Sequence, residues 1–261
     1  MNNTTFDLNT FNQVSAIIIT LVAVGGNSIV LVILARPEFR KQSLFRYLFI
    51  ATIFDTLNAL QIWPNSYFDF FLINQLDISC KLYSYLPSVT NVFSSWMNAL
   101  SSIDVYLTVN YSSKFLFRKN LKTQILAMSI TFVMAVVLNL PMYFYAIIRD
   151  PIGCSSYSYQ VSFYINLNFI IVFLIIPFIF MVLANSLVFI QLKKQKKLIE
   201  NQDNREVYKK AKSLFNLSLG MNFLFLASNL PCNIVFIVGN LSNTIFSDFF
   251  YDVFYLISFT V

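Results

Sequence analysis

CKLYSYLPSVTNVFSSWMNALSSIDVYLTVNY, residues 80–111, is the stretch whose reading decides the fold. It contains no glycine, and at about 1.5 Å per residue the segment from Cys80 to Asn110 reaches roughly 45 Å as helix, enough to cross a bilayer with tilt. Ser84, Ser88, Asn91, Ser95, Asn98 and Ser102 follow one another at steps of 4, 3, 4, 3 and 4. Those steps put all six on one helical face, with Phe93, Trp96, Met97 and Leu100 spread over the rest. In lipid such a stripe must turn toward other helices or an internal cavity. Single serines of this kind often serve only as close contacts between helices. The whole stripe predicts the central strut of a helical bundle.

Composition carries the same reading to the whole chain. Of 261 residues 57% are hydrophobic and 11% charged, where soluble domains carry about 25% charge. The apolar runs are continuous rather than alternating, which predicts membrane helices and not a β-barrel. Histidine is absent, removing the commonest general base and neutral metal ligand, and three cysteines are too few for a zinc cluster or disulfide scaffold. No enzyme, metal or resident cofactor is expected.

Six complete spans are predicted: Val14 to Ala35, Leu44 to Phe71, the opening stretch, Thr123 to Ile148, Gln160 to Leu192 around Pro177, and Ala211 to Val238 around Pro231. A seventh apolar run begins near Ile245; its 17 residues to Val261 give roughly 25 Å of helix, short of a ~30 Å hydrocarbon core. The expected fold is an all-α seven-transmembrane bundle over residues 14–261, its seventh helix incomplete, preceded by an extracellular tail at 1–13. The tail lacks a basic region, so the first span is expected as an uncleaved signal anchor. Kinks are expected at Pro64, Pro141, Pro177 and Pro231.

Sixteen of the 18 basic residues fall in the first, third and fifth inter-helix loops, and only Lys81 and Arg149 fall on the other side. By the positive-inside rule those loops are cytosolic and the N-terminus is outside. The charge of +6 is thereby explained by topology and anionic inner-leaflet lipid, not by nucleic acid. Asn2, Asn3 and Asn240 begin glycosylation sequons on the outer side. Cys80 and Cys154 both face an oxidising compartment, so a disulfide tethering the second outer loop is expected. Cys232, beside Pro231, reads as a small buried apolar residue. Asp55 is the one acid in the middle of a complete span, and its cost must be met by a cation, a proton or donor side chains. A hydrogen-bonded hub with Asn27 and Ser94 or Ser95, or a sodium or proton site, both satisfy it.

Gly26-Asn27, Asp55, Cys80, Cys154, Asp104 with Tyr106, Pro177, and Phe225 with Pro231 together resemble the rhodopsin-like (class A) G-protein-coupled receptors. The spacing of 24 residues from Cys80 to Asp104 fits that family, and Pro64, nine residues after Asp55, is common in its peptide-binding branch. The resemblance implies a multi-pass plasma-membrane receptor for an extracellular ligand, a neuropeptide being the favoured class. Its signal would pass through helix-six movement to a heterotrimeric G protein. By the same resemblance Pro87, Ser88, Asn91, Asn233 and Asp252 form the ligand pocket. Phe225, Asn229, Pro231 and Pro177 are the switch, and Asp104, Val105 and Tyr106 are the coupling segment.

The departures are equally specific. Asp104-Val105-Tyr106 lacks the family's arginine, Ser228-Asn229-Leu230-Pro231 lacks its tryptophan, Asn185 stands for a tyrosine, and Phe132 lies near the place of the fourth-helix tryptophan. Pro87 occupies the position of the aminergic aspartate, so a monoamine counter-ion is missing. Six acids (Asp7, Asp69, Asp77, Asp150, Asp248, Asp252) face two bases on the outer side, which would steer a cationic peptide, although a merely solvated acidic surface reads the same way. Aromatic residues near the mouth, Trp63, Tyr67, Tyr83, Tyr85, Tyr143 and Tyr145, would stack on such a peptide or simply form an interfacial belt. The alternatives are a ligand-binding relative that does not signal, and a transporter or channel with Asp55 and the polar stripe lining its path. The oligomeric state is not legible.

Overall fold

A computed structural model describes residues 3–40, 42–68, 77–110, 121–149, 153–156, 159–197 and 202–242. The elements are α1 (Asn3–Leu34), the single turn α2 (Pro37–Arg40), α3 (Ser43–Phe68), α4 (Asp77–Asn110) and α5 (Leu121–Tyr145). A hairpin of β1 (Ala146–Arg149) and β2 (Gly153–Ser156) follows, then α6 (Tyr159–Ile170), a π-helical turn at Ile171–Ile175, α7 (Ile176–Lys197) and α8 (Gln202–Ser242). These make the first six spans of a seven-helix bundle; the run from Ile245 lies outside the described residues.

The opening stretch is indeed the strut. α4 touches α3, α5, α7 and α8, while α1 packs on α3. Burial is inverted relative to a soluble protein. Leu21, Val32 and Phe223 are 68%, 68% and 69% exposed, whereas Ser95, Ser102 and Ser218 are 1%, 0% and 1% exposed. Outward apolar and inward polar side chains are what a lipid solvent selects. Among the described residues, Leu121–Tyr145 and Leu167–Lys196 are each long and apolar enough to cross a membrane, and Thr20–Leu34 is a shorter apolar helix.

Four element boundaries differ from expectation. α1 starts at Asn3, so much of the expected tail continues the first helix; residues 3–13 hold neither proline nor glycine to stop it. α5 ends at Tyr145, three residues early, because β-branched Ile147 and Ile148 join a strand pair with Ile148 opposite Cys154. Among the described residues the bundle is therefore all-α except for this strand pair, whose first strand packs on α4. α8 starts at Gln202, and in its first turns exposed Glu206 and Lys210 stand at i,i+4 spacing. Its end at Ser242 puts the Asn240 sequon in helix rather than in a loop.

A further difference lies inside the fifth span, where a π turn precedes Pro177. The Ile176 N–H reaches back to the Ile171 carbonyl, five residues away, which passes over the Val172 carbonyl. Pro177 has no N–H to give the Phe173 carbonyl. Two adjacent backbone acceptors are thus released from their own helix in the middle of the bundle.

Candidate functional site

Neighbouring α4 residues take up both released carbonyls. The Ser95 hydroxyl donates to the Phe173 oxygen at 2.5 Å, and Trp96 Nε1–H donates to the Val172 oxygen at 3.1 Å. Phe173 in turn meets Phe225 of α8 edge-on, ring centroids 5.9 Å apart. Pro177 itself is fully buried. The proline of the fifth span and the phenylalanine of the sixth are thereby joined through one α4 serine.

Beside this joint, and lined in part by it, lies a cavity of about 260 Å³. α1 contributes Asn27, α3 contributes Thr52, Asp55 and Asn58, α4 contributes Asn91, Ser94, Ser95 and Asn98, and α8 contributes Phe225 and Asn229. All four members of the expected polar hub, Asn27, Asp55, Ser94 and Ser95, line it. Ser94 hydrogen-bonds the Asp55 carboxyl, while the Ser95 hydroxyl is spent on Phe173. Asn58 Nδ2 donates to Asn91 Oδ1 at 2.5 Å, tying α3 to α4 on the same cavity wall. A carboxylate ringed by amide and hydroxyl oxygens is a donor set suited to a hard monovalent cation or a proton. Asn229 Nδ2 donates to the Phe225 carbonyl one turn back, at 2.8 Å, so the residue in the place of the family tryptophan is bound to its own helix.

One turn toward the cytosol, a second polar cluster ties three helices. Asn222 Nδ2 donates to Ser102 Oγ at 3.0 Å, Ser102 and Ser218 hydroxyls lie 3.2 Å apart, and Ser218 Oγ donates to Asn185 Oδ1 at 3.3 Å. All four side chains are buried. Ser102 belongs to the stripe read from sequence, and Asn185 was singled out only as a departure. Ser218 and Asn222 were missed. Their signal is an i,i+4 polar pair in an apolar helix, with Asn229 seven residues further on the same face.

The cytosolic end is closed. Ser43 donates to Asp104 Oδ2 at 2.5 Å, and Arg46 Nε donates to Gln124 Oε1 at 2.6 Å. Gln195 Nε2 of α7 reaches the Val109 carbonyl of α4 at 3.1 Å. Val105, 1% exposed, sits in an apolar cluster with Leu34, Leu44, Leu48, Val109, Val188, Leu192, Ala211 and Leu214, and Tyr106 packs against it. Five helices contribute side chains to the cluster that holds the residue standing where the family carries arginine.

On the outer side Cys80 is fully buried and disulfide-bonded, and Cys154 lies on β2, paired with Ile148 of the strand that packs on α4. Of the expected ligand pocket, α4 supplies Pro87, Ser88 and Asn91; the Ser88 hydroxyl faces Met142 Sδ at 3.0 Å. Asn233 falls on α8 and Pro231 within it, both with side chains outside the described set, and Asp252 and Asn2 lie outside the described residues altogether. Asn3 is the first residue of α1. Tyr85 meets Tyr143 edge-on at 5.9 Å; Trp63, Tyr67 and Tyr83 have side chains outside the description.

No curated protein matches the chain. The family described as 7 transmembrane receptor (rhodopsin family) matches residues 26–261, which take in every polar joint above. The chain belongs to the rhodopsin family of seven-transmembrane receptors, a multi-pass membrane receptor and not an enzyme.

Proposed function

We propose that this receptor responds at the plasma membrane to an extracellular cationic peptide of the neuropeptide class, and passes the signal to a heterotrimeric G protein by movement of α8. The observation that supports the reading is a series of interhelical joints spaced from the outer pocket to the cytosolic end. Asn91 bonds Asn58 on the cavity wall; Ser95, Phe173 and Phe225 join α4, the π turn and α8; Ser102, Asn222 and Val105 continue the line inward. A peptide contacting Pro87, Ser88 and Asn91, with Asn233 and Asp252 opposite, acts by favouring the arrangement in which α8 has left Ser102 and Val105. It does so only to the extent that it binds that arrangement better. Asp104, Val105 and Tyr106 then face the G protein, and a disulfide from Cys80 to Cys154 holds the hairpin at the mouth. Glycans belong at Asn2 and Asn3.

The test is nucleotide exchange on purified heterotrimeric G protein, driven by the full receptor and a library of basic peptides. At least one peptide should accelerate exchange, with the effect lost on Asn91→Leu. If no peptide that binds accelerates exchange, in the wild type or in Val105→Arg, signalling through a G protein is refuted.

Burial of Val105 favours one second reading: a receptor that binds ligand without activating a G protein. Tight peptide binding with exchange at the empty-membrane rate establishes it. Family membership favours either receptor reading over a transporter or channel.

A further inference from the structure

On the lipid-facing side of the cytosolic half, α7 and α8 diverge around a groove of about 370 Å³. Its walls are Phe189 and Ile190 of α7 and Phe215 and Leu219 of α8, and Asn185 and Ser186 lie at its deep end. The rings of Phe189 and Phe215 face each other across it, centroids 6.4 Å apart. Phe189, Ile190 and Leu219 are about half exposed, so the groove opens sideways to lipid.

The groove has a cationic cytosolic mouth. Lys193 follows Phe189 by four residues, Lys194 follows Ile190 by four, and Lys212 precedes Phe215 by three. On two antiparallel helices those offsets bring three lysines, all exposed, to the same end, one turn below the apolar walls. Apolar walls with a cationic rim at headgroup depth match one amphiphile in particular. A zwitterionic lipid carries no net charge for the lysines to balance, and a sterol offers them only a hydroxyl.

We propose that this groove seats one anionic phospholipid of the cytosolic leaflet, an acyl chain lying against Phe189, Ile190, Phe215 and Leu219 and the phosphate held by Lys193, Lys194 and Lys212. Asn185, at the deep end, is also the acceptor for Ser218, so the seated chain lies beside the joint that ties α7 to α8.

Purified full-length receptor exchanged into micelles holding equal amounts of palmitoyl-oleoyl phosphatidylserine, the matching phosphatidylcholine and cholesterol is to be examined by native mass spectrometry. One phosphatidylserine should be retained about fivefold or more over phosphatidylcholine. The preference should vanish in the triple variant Lys193→Gln, Lys194→Gln, Lys212→Gln and persist in the corresponding triple arginine variant. Leu219→Trp, which fills the groove and leaves the lysines, should weaken retention. Added inorganic phosphate should not displace the lipid. The proposal is overturned by retention of cholesterol or phosphatidylcholine instead, by wild-type retention in the triple glutamine variant, by an unchanged Leu219→Trp, or by displacement with inorganic phosphate.

Discussion

The Ser95 hydroxyl of α4 donates to the Phe173 carbonyl, 2.5 Å away, the very oxygen that Pro177 leaves without an N–H partner. A helix-breaking residue in one span is thus answered by a serine in another, and the two spans share one joint. Ser95→Ala should strand that carbonyl in a buried setting and lower stability by about 1 kcal/mol, with Ser95→Thr close to wild type. Thermal denaturation of the purified receptor in detergent checks it; an unchanged midpoint for Ser95→Ala would mean that the released carbonyl needs no partner from α4.

The cluster of Ser102, Asn222, Ser218 and Asn185 holds α8 to α4 and α7. A double-mutant cycle on Ser102→Ala and Asn222→Leu should return a coupling of about 0.5–1.7 kcal/mol, within the range of hydrogen bonds between membrane helices. Asn222→Leu alone should raise ligand-independent nucleotide exchange, since it removes contacts made only while α8 lies against α4. Additive single effects would dissolve the cluster as a unit.

Asp55 distinguishes its two readings by ion dependence. Ser94 is its direct partner, and Asn27, Asn58, Asn91 and Asn98 line the same cavity; a sodium site there predicts a response to the cation supplied. Replacing choline chloride by sodium chloride should raise the melting temperature of the wild type and leave Asp55→Asn unmoved. Equal response to both salts assigns Asp55 to a purely structural hub.

Val105→Ala should cost about 1–2 kcal/mol through the cavity it leaves among Leu48, Val188 and Leu214. Val105→Arg acts differently. A guanidinium is expensive in that cluster and is relieved when α8 moves aside and admits water, so ligand-independent exchange should rise. Basal exchange at or below the wild-type rate in a folded Val105→Arg receptor would contradict this.

The order of the spans, the inward face of α4 and the inward place of Asp55 were legible because each rests on periodicity or on the cost of a charge in lipid, both local properties of the chain. The polar cluster was not, because Asn185, Ser218 and Asn222 acquire meaning only when two other spans are brought beside Ser102. Pro177 announced a disturbance in the fifth span, but the π turn that displaces it upstream to Ile171–Ile175 depends on Ser95 and Trp96 waiting on another helix. The hairpin was hidden for a related reason. Ile147 and Ile148 extend the apolar run of α5, and their strand pairing depends on Gly153–Ser156 further along the chain. Val105 was read as a missing arginine; its place in an apolar cluster drawn from five helices is a fact of packing.

The central claim is that the apolar cluster around Val105 holds the cytosolic end shut against movement of α8. Spin labels on the exposed residues Leu121 of α5 and Lys209 of α8, in full receptor carrying Cys232→Ser, report that movement by pulsed electron resonance. The account predicts one short-distance population in the otherwise wild-type receptor and an added longer one in Val105→Arg. Identical distance distributions in the two, both folded, would contradict it.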